Sequence, residues 1–240
     1  MSYSQRLLQQ GSSLTRLAHR SRYDAVLSLL QGNQFQRALD YGCGDGWLLR
    51  SAYEAGLVTS GVGVDIAPQM LSLSQETLAN IPGFQFCLPD AIASRIEPQS
   101  CDLLLCTETL EHVDSPIEIL DTILSYCKPG ATVVISVPIE IGPALLVKQF
   151  GRYLANFKGH YGYEKYTPKE LWDAAFLWNT DSFPSSHSLP FTGFRAHKGF
   201  DYRKIKAMLA ERLSLEKQVC TPFPLLGNWF NSTVFWVGRV

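Results

Sequence analysis

Glu108, Glu111 and His112 stand at positions i, i+3 and i+4. In a helical turn this spacing puts all three side chains on one face. Two carboxylates and an imidazole gathered this way support two chemistries. They can hold a hard divalent cation such as Mg²⁺, which would lower the pKa of an acceptor hydroxyl and clamp two adjacent oxygens. Without a metal, His112 orients a partner or acts as general base. Glu111 is then a solvated or capping carboxylate. His160, in the Gly/Tyr-rich run 159–166, is a further general-base candidate. His19, His187 and His197 have no partner legible in the sequence and read as surface or packing residues.

The elements that must position these groups are marked by punctuation. Residues 38–49 run Ala-Leu-Asp-Tyr-Gly-Cys-Gly-Asp-Gly-Trp-Leu-Leu: an apolar run ending in Asp40, then Gly42, Gly44 and Gly46, then a helical pattern. A strand, a glycine turn and a helix start bring backbone N–H groups close to a bound cofactor. Cys43 in that loop reads as packing rather than as a nucleophile. A second β-like run, 61–65, ends in Asp65, which is followed by Ile66 and the helix-opening Pro68. A carboxylate at that strand tip accepts hydrogen bonds from both hydroxyls of a cofactor ribose. A third run ends in Asp90 and Ala91, suited to an adenine amino group. A fourth, Cys101 to Cys106, feeds Glu108 and its neighbours, and a fifth, Ala131 to Val137, follows the turn 127–130.

These five elements, in this order, resemble the class I S-adenosylmethionine-dependent methyltransferases, in the small-molecule branch that includes the ubiquinone-biosynthesis O-methyltransferases. The resemblance covers residues 20–140. It implies an α/β fold: a Rossmann-like, seven-stranded, mostly parallel sheet with helices on both faces and a helical cap after the fifth strand. It places Asp40, Gly42, Cys43, Gly44 and Gly46 around the methionine part of S-adenosyl-L-methionine. Asp65 and Ile66 fall at the ribose, Asp90 and Ala91 at the adenine, and Glu108 at the sulfonium end. The Glu-x-x-Glu-His pattern also resembles the metal-binding motif of small-RNA 2′-O-methyltransferases, which implies Glu108, Glu111, His112 and His160 as the ligand set. A nicotinamide dehydrogenase fits less well, since its Gly-x-Gly-x-x-Gly spacing is not kept at Trp47. A paralogue that binds the cofactor but acts through protein contacts is the alternative of another class.

The 240 residues fit one domain over 1–240, with a leading helix within 1–33 over the cofactor cleft and an inserted cap at 138–199. Arg20, Arg22 or Tyr23 on that helix would reach a cofactor carboxylate. A net charge of −1 provides no field to recruit nucleic acid or an anionic membrane. The basic cluster Arg195, His197, Lys198, Arg203, Lys204 and Lys206 reads as a solvated helix face. Six scattered cysteines without a Cys-x-x-Cys pair point to a reducing, cytoplasmic setting with neither disulfides nor zinc.

The coarse map is helix 14–31, strand 36–41, helix 47–55, strand 61–65, helix 68–79, strands 84–88 and 102–106, helix 115–126 and strand 131–137. A helix from 202 and two strands at 213–220 and 232–237 close the chain. In the insertion, Leu146, Phe150, Tyr153, Leu154 and Phe157 form one helical face, with Lys148 and Arg152 away from it. That face either packs on the body as a substrate-covering cap, or touches a membrane surface or lipid-like substrate. The partner expected throughout is a small-molecule methyl acceptor carrying a hydroxyl, with a phenol, quinol or sugar diol as candidates.

Overall fold

The computed structural model describes residues 4, 13–156, 165–183 and 197–240. His160 and His187 lie outside them, as do Arg195 and Phe157. The elements alternate from the start. They are α1 (Ser13–Leu30), β1 (Ala38–Tyr41), α2 (Trp47–Glu54), β2 (Gly61–Val64), α3 (Pro68–Thr77), β3 (Phe84–Cys87), β4 (Cys101–Thr107), α4 (Pro116–Leu124) and β5 (Cys127–Pro138). Then follow α5 (Pro143–Asn156), α6 (Pro168–Ala175), α7 (Tyr202–Ala210), β6 (Ser214–Thr221), the one-turn α8 (Gly227–Phe230) and β7 (Thr233–Arg239).

Seven strands form one sheet in the order β3-β2-β1-β4-β5-β7-β6. The first five pair in parallel, while β7 runs antiparallel to both β5 and β6. Because side chains alternate across a strand, the sheet feeds two cores. Leu104, Cys106, Val133 and Ile135 face Leu120, Ile123, Ile205 and Leu209 of α4 and α7. Leu103, Leu105 and Val134 face Val26, Leu30, Leu48 and Leu49 of α1 and α2. β1 lies between β2 and β4, so the strand order reverses there. At such a reversal the connections diverge and leave a crevice beyond the carboxyl ends of the strands.

Two local expectations change. The segment 127–130 is not a separate turn but the start of β5, since Cys127 pairs with Cys101 before an irregularity brings Thr132 opposite Leu103. In the insertion the helix forms as α5, but with its faces exchanged. Lys148 and Arg152 turn inward to the wholly buried Glu140, at 2.9 and 2.8 Å. Phe150 and Tyr153 are left 64% and 68% exposed. A buried carboxylate without cations is far more costly than exposed apolar surface, so Glu140 dictates which face turns in.

Candidate active site

A cavity of about 890 Å³ occupies the crevice, lined from β1, the glycine loop, the tips of β2 and β4, α1 and the segment 112–119. Its floor is the glycine loop. Gly42 N and Cys43 N donate to Val64 O at 2.7 and 3.0 Å, which folds the loop back onto β2. Gly42 has φ of 83°, and a Cβ there would strike the side chain of Thr109. Only glycine fits that position. Asp65 accepts from Gly44 N and Ala67 N, both at 2.9 Å, which fixes its carboxylate at the cavity wall.

Asp40 lies beneath this loop, 1% exposed, and neither of its oxygens has a hydrogen-bond partner among the described residues. Burial, with the charge of Asp65 adding, raises its pKa to about 7. A buried carboxylate left unpaired inside a cavity is a recognition element for a cationic ligand group. Cys43 also lines the cavity, and burial pushes its thiol well above the usual range, which removes nucleophilic character. Ile66 lines the cavity as well. Asp90 and Ala91 begin the 3₁₀ turn Pro89–Ser94, where Asp90 is exposed. It is Pro89, not Asp90 or Ala91, that contributes to the wall.

The opposite wall belongs to α1, which presents His19, Arg22, Tyr23 and Val26. Arg22 pairs with Glu108 at 2.7 Å and donates to His19 Nδ1 at 2.8 Å. Burial and the neighbouring guanidinium lower the pKa of His19 to about 4, keeping it neutral. Ser4 lies over the loop as well, with its N–H and hydroxyl donating to the buried Asp45 at 2.6 and 2.7 Å. Neither His19 nor Asp45 is singled out by sequence reasoning, because each gains its meaning from a helix or segment folded over from the chain start.

The turn after β4 departs from the expected helical face. Glu108 itself adopts a left-handed backbone, φ 52°, and only Leu110–His112 form a 3₁₀ turn. Such a conformation costs a non-glycine residue roughly 1–3 kcal/mol and recurs at functional sites. It sends Glu108 into the cavity, where Ser136 also donates to it at 3.3 Å, while Glu111 goes into the protein. Glu111 is wholly buried, neither solvated nor capping, and both of its oxygens lack hydrogen-bond partners among the described residues. Burial first, then the charge of Glu108, pushes it well above the usual carboxylate range, toward the protonated form.

His112 lines the cavity and meets a residue that sequence reasoning set aside. His197 Nε2 is 3.4 Å from His112 Nε2, and His197 Nδ1 is 3.5 Å from Glu140. One donor atom each from Glu111, His112 and His197 falls within 4.8 Å of the others. This is not the expected Mg²⁺ clamp. Glu108 is engaged by Arg22 and Ser136, and two imidazoles with one carboxylate do not make the oxygen-rich shell that Mg²⁺ demands. On α7 the basic cluster is the expected solvated face, with Arg203, Lys204 and Lys206 exposed. Lys198 pairs with Glu170, Arg203 with Asp201 and Lys204 with Asp181.

A sequence model described as a methyltransferase domain matches residues 13–177. The chain belongs to the class I S-adenosylmethionine-dependent methyltransferases. A ubiquinone biosynthesis O-methyltransferase of Burkholderia multivorans is similar to this chain at 34% identity over 154 residues. A namesake from Burkholderia lata reaches 35%. In each case the match spans 61% of this chain and 64% of the relative's length. The N-methyltransferase NodS from Bradyrhizobium japonicum, solved with S-adenosyl-L-homocysteine, shares the fold at a TM-score of 0.58 and 13% identity. That match covers 98% of this chain and 95% of NodS. Magnesium protoporphyrin IX methyltransferase from Synechocystis, also solved with that product, gives a TM-score of 0.58 at 16% identity, over 98% and 92% of the two chains.

Proposed function

We propose that this methyltransferase moves the methyl group of S-adenosyl-L-methionine to a hydroxyl oxygen of a small, ring-bearing acceptor. The observation that carries the cofactor assignment is Asp40, buried and unpartnered beneath a glycine loop whose neighbouring wall holds Asp65. The α-ammonium of the cofactor is the cationic partner Asp40 lacks, and Asp65 receives the ribose hydroxyls. Arg22 faces the carboxylate of the methionine part, exchanging for it part of its pairing with Glu108. At the adenine end the wall residue is Pro89, and Asp90 and Ala91 would reach the base only from beside it.

The bound sulfonium supplies an already activated methyl group, so the protein must align the acceptor and accept one proton. Alignment in a closed crevice is worth roughly 7–11 kcal/mol of barrier. His112 takes the proton of the acceptor hydroxyl as general base, worth about 10²–10⁴-fold in rate. His197, backed by the anionic Glu140, shares the positive charge that His112 gains. Glu111 stays in the protonated direction and adds no competing anion. His160 would act from the cap. Oxygen is favoured over nitrogen or carbon as acceptor because the relatives at 34 and 35% identity are O-methyltransferases. We read the six buried, unpaired cysteines as those of a protein working in a reducing cytoplasm.

Calorimetric titration of S-adenosylhomocysteine, with NADH as the control ligand, tests the cofactor reading. Binding of the first alone is expected. Binding of NADH instead, or of neither, defeats it. Methyl transfer from labelled cofactor to a panel of catechols, isolated phenols and amines then tests the acceptor class. Turnover of any of them also removes the inactive-paralogue alternative.

A further inference from the structure

Charge is distributed unevenly around the crevice. Arg22 is the single lysine or arginine among the described residues that line it. Against that guanidinium stand Asp40, Asp45 and Asp65 around the glycine loop, and Glu108, Asp114 and Glu118 beyond β4. Two of these acids are satisfied within the protein. Asp45 accepts two hydrogen bonds from Ser4, and Asp65 accepts from two backbone N–H groups. Asp40 is buried with no hydrogen-bond partner among the described residues. Glu108 is compensated by Arg22 at 2.7 Å, with the two side chains only 20% and 24% exposed. Asp114 and Glu118 are the exposed members of the set. The imidazoles of the lining add no standing positive charge. Burial and the neighbouring guanidinium keep His19 neutral, and His112 must be neutral to accept a proton.

S-adenosyl-L-methionine brings three charges to this space: an ammonium, a carboxylate and a sulfonium. On the cofactor reading above, the ammonium falls to Asp40 and the carboxylate to Arg22. What Arg22 gives the ligand it takes from Glu108, which is then balanced by the sulfonium. Each charge of the cofactor is thus matched by one side chain, and the matching leaves no cation over. Neighbouring cations are committed elsewhere, Lys148 and Arg152 to Glu140 and Lys198 to Glu170. An acceptor bearing a second, anionic group would meet Glu108, Asp114 and Glu118 with no lysine or arginine of the described lining to receive it. Like charges brought together in a partly desolvated crevice repel far more strongly than in water.

Resting on that cofactor reading, we propose that the crevice rejects acceptors carrying a carboxylate or phosphate and takes uncharged or cationic ones. Glu108 is the residue that sets this preference. The Arg22–Glu108 pair holds the charge of the reacting end in balance until the cofactor arrives, and the cofactor then spends the only guanidinium of the described lining.

Three catechols of matched size test it with labelled cofactor: 3,4-dihydroxybenzoate, 3,4-dihydroxybenzamide and 3,4-dihydroxybenzylamine. At low ionic strength, kcat/KM for the amide and the amine should exceed that for the acid at least about tenfold, and salt should narrow the gap. Glu108→Gln should narrow it at least about threefold, whereas Glu108→Asp, which keeps the charge, should preserve it. Each ratio is read within one variant, so a change in cofactor affinity cancels. A rise in Tm with S-adenosylhomocysteine identifies the variants that have folded. If none of the three is turned over, benzoate, benzamide and benzylammonium are compared as ligands of the product-loaded protein by ligand-observed NMR. Equal use of all three, or preference for the acid, overturns the charge selection and leaves the methyltransferase reading intact. So does a preference that Glu108→Gln does not alter, or failure of both benzamide and benzylammonium to bind. Failure of S-adenosylhomocysteine to bind defeats the cofactor reading, and the charge selection with it.

Discussion

Asp40 concentrates the conflict between stability and function at the scale of one residue. In the free protein its folded pKa, about 7, lies above the 3.8 of an ordinary aspartate. A folded pKa raised in this way gives stability that is fully present below the unfolded value and lost as pH rises through the folded one. The free protein should therefore lose on the order of 4 kcal/mol between pH 4 and pH 7 from this group, with Asp40→Asn abolishing that slope in urea titrations. The same substitution should raise stability at neutral pH while weakening S-adenosylhomocysteine binding at least about 100-fold, because a buried charge partner is lost. In the parent, affinity should fall about tenfold per pH unit below pH 7, as the incoming ammonium must displace a proton. A flat affinity profile across that window would show that Asp40 does not face the ligand ammonium.

At the scale of elements, α5 is held by charge rather than by its apolar stripe. Burial alone would raise the pKa of Glu140, but Lys148, His197 and Arg152 more than offset it and hold the carboxyl well below the usual range. A depressed folded pKa gives stability that is present above the unfolded carboxylate value and lost only as pH falls toward the folded one. Glu140→Gln should therefore destabilise the protein by about 3–5 kcal/mol at neutral pH, since two partly buried cations lose their anion. Faster amide exchange along α5 than along α4 would locate the damage. α6 is anchored more modestly, by a capping box in which Thr167 and Glu170 satisfy each other's backbone N–H groups. Thr167→Ala should cost about 1 kcal/mol in a denaturation experiment, without altering cofactor affinity. A cost as large as that of Glu140→Gln would mean that the cap is anchored differently.

Over the whole molecule, the crevice joins elements from both halves of the chain, so a ligand filling it stabilises the fold as a unit. At 100 times its Kd, S-adenosylhomocysteine should add about 2.7 kcal/mol, or roughly 5–10 °C in Tm for a chain of this size. Mg²⁺ at millimolar concentration should add nothing, given where Glu108 is engaged. A metal-dependent rise in Tm, lost on Glu111→Ala, would reverse that conclusion.

How much of this was legible in the sequence follows from range. Strand tips ending in Asp40 and Asp65, the glycine loop and the alternation of helix and strand are written in neighbouring residues, because turns and periodicity are local. The parallel sheet and its ligand crevice follow from that order alone. The pairings that shape the reacting end are not local. Arg22 meets Glu108 across 86 positions, and His197 meets His112 across 85. The helical periodicity of α5 was readable, yet it could not say which face turns inward. That choice belongs to Glu140, whose burial draws Lys148 and Arg152 to it and leaves the aromatic stripe outside. Local pattern determines which elements form and where a cofactor can be cradled. Only tertiary structure decides which charges are buried together, because that energy depends on neighbours from distant parts of the chain.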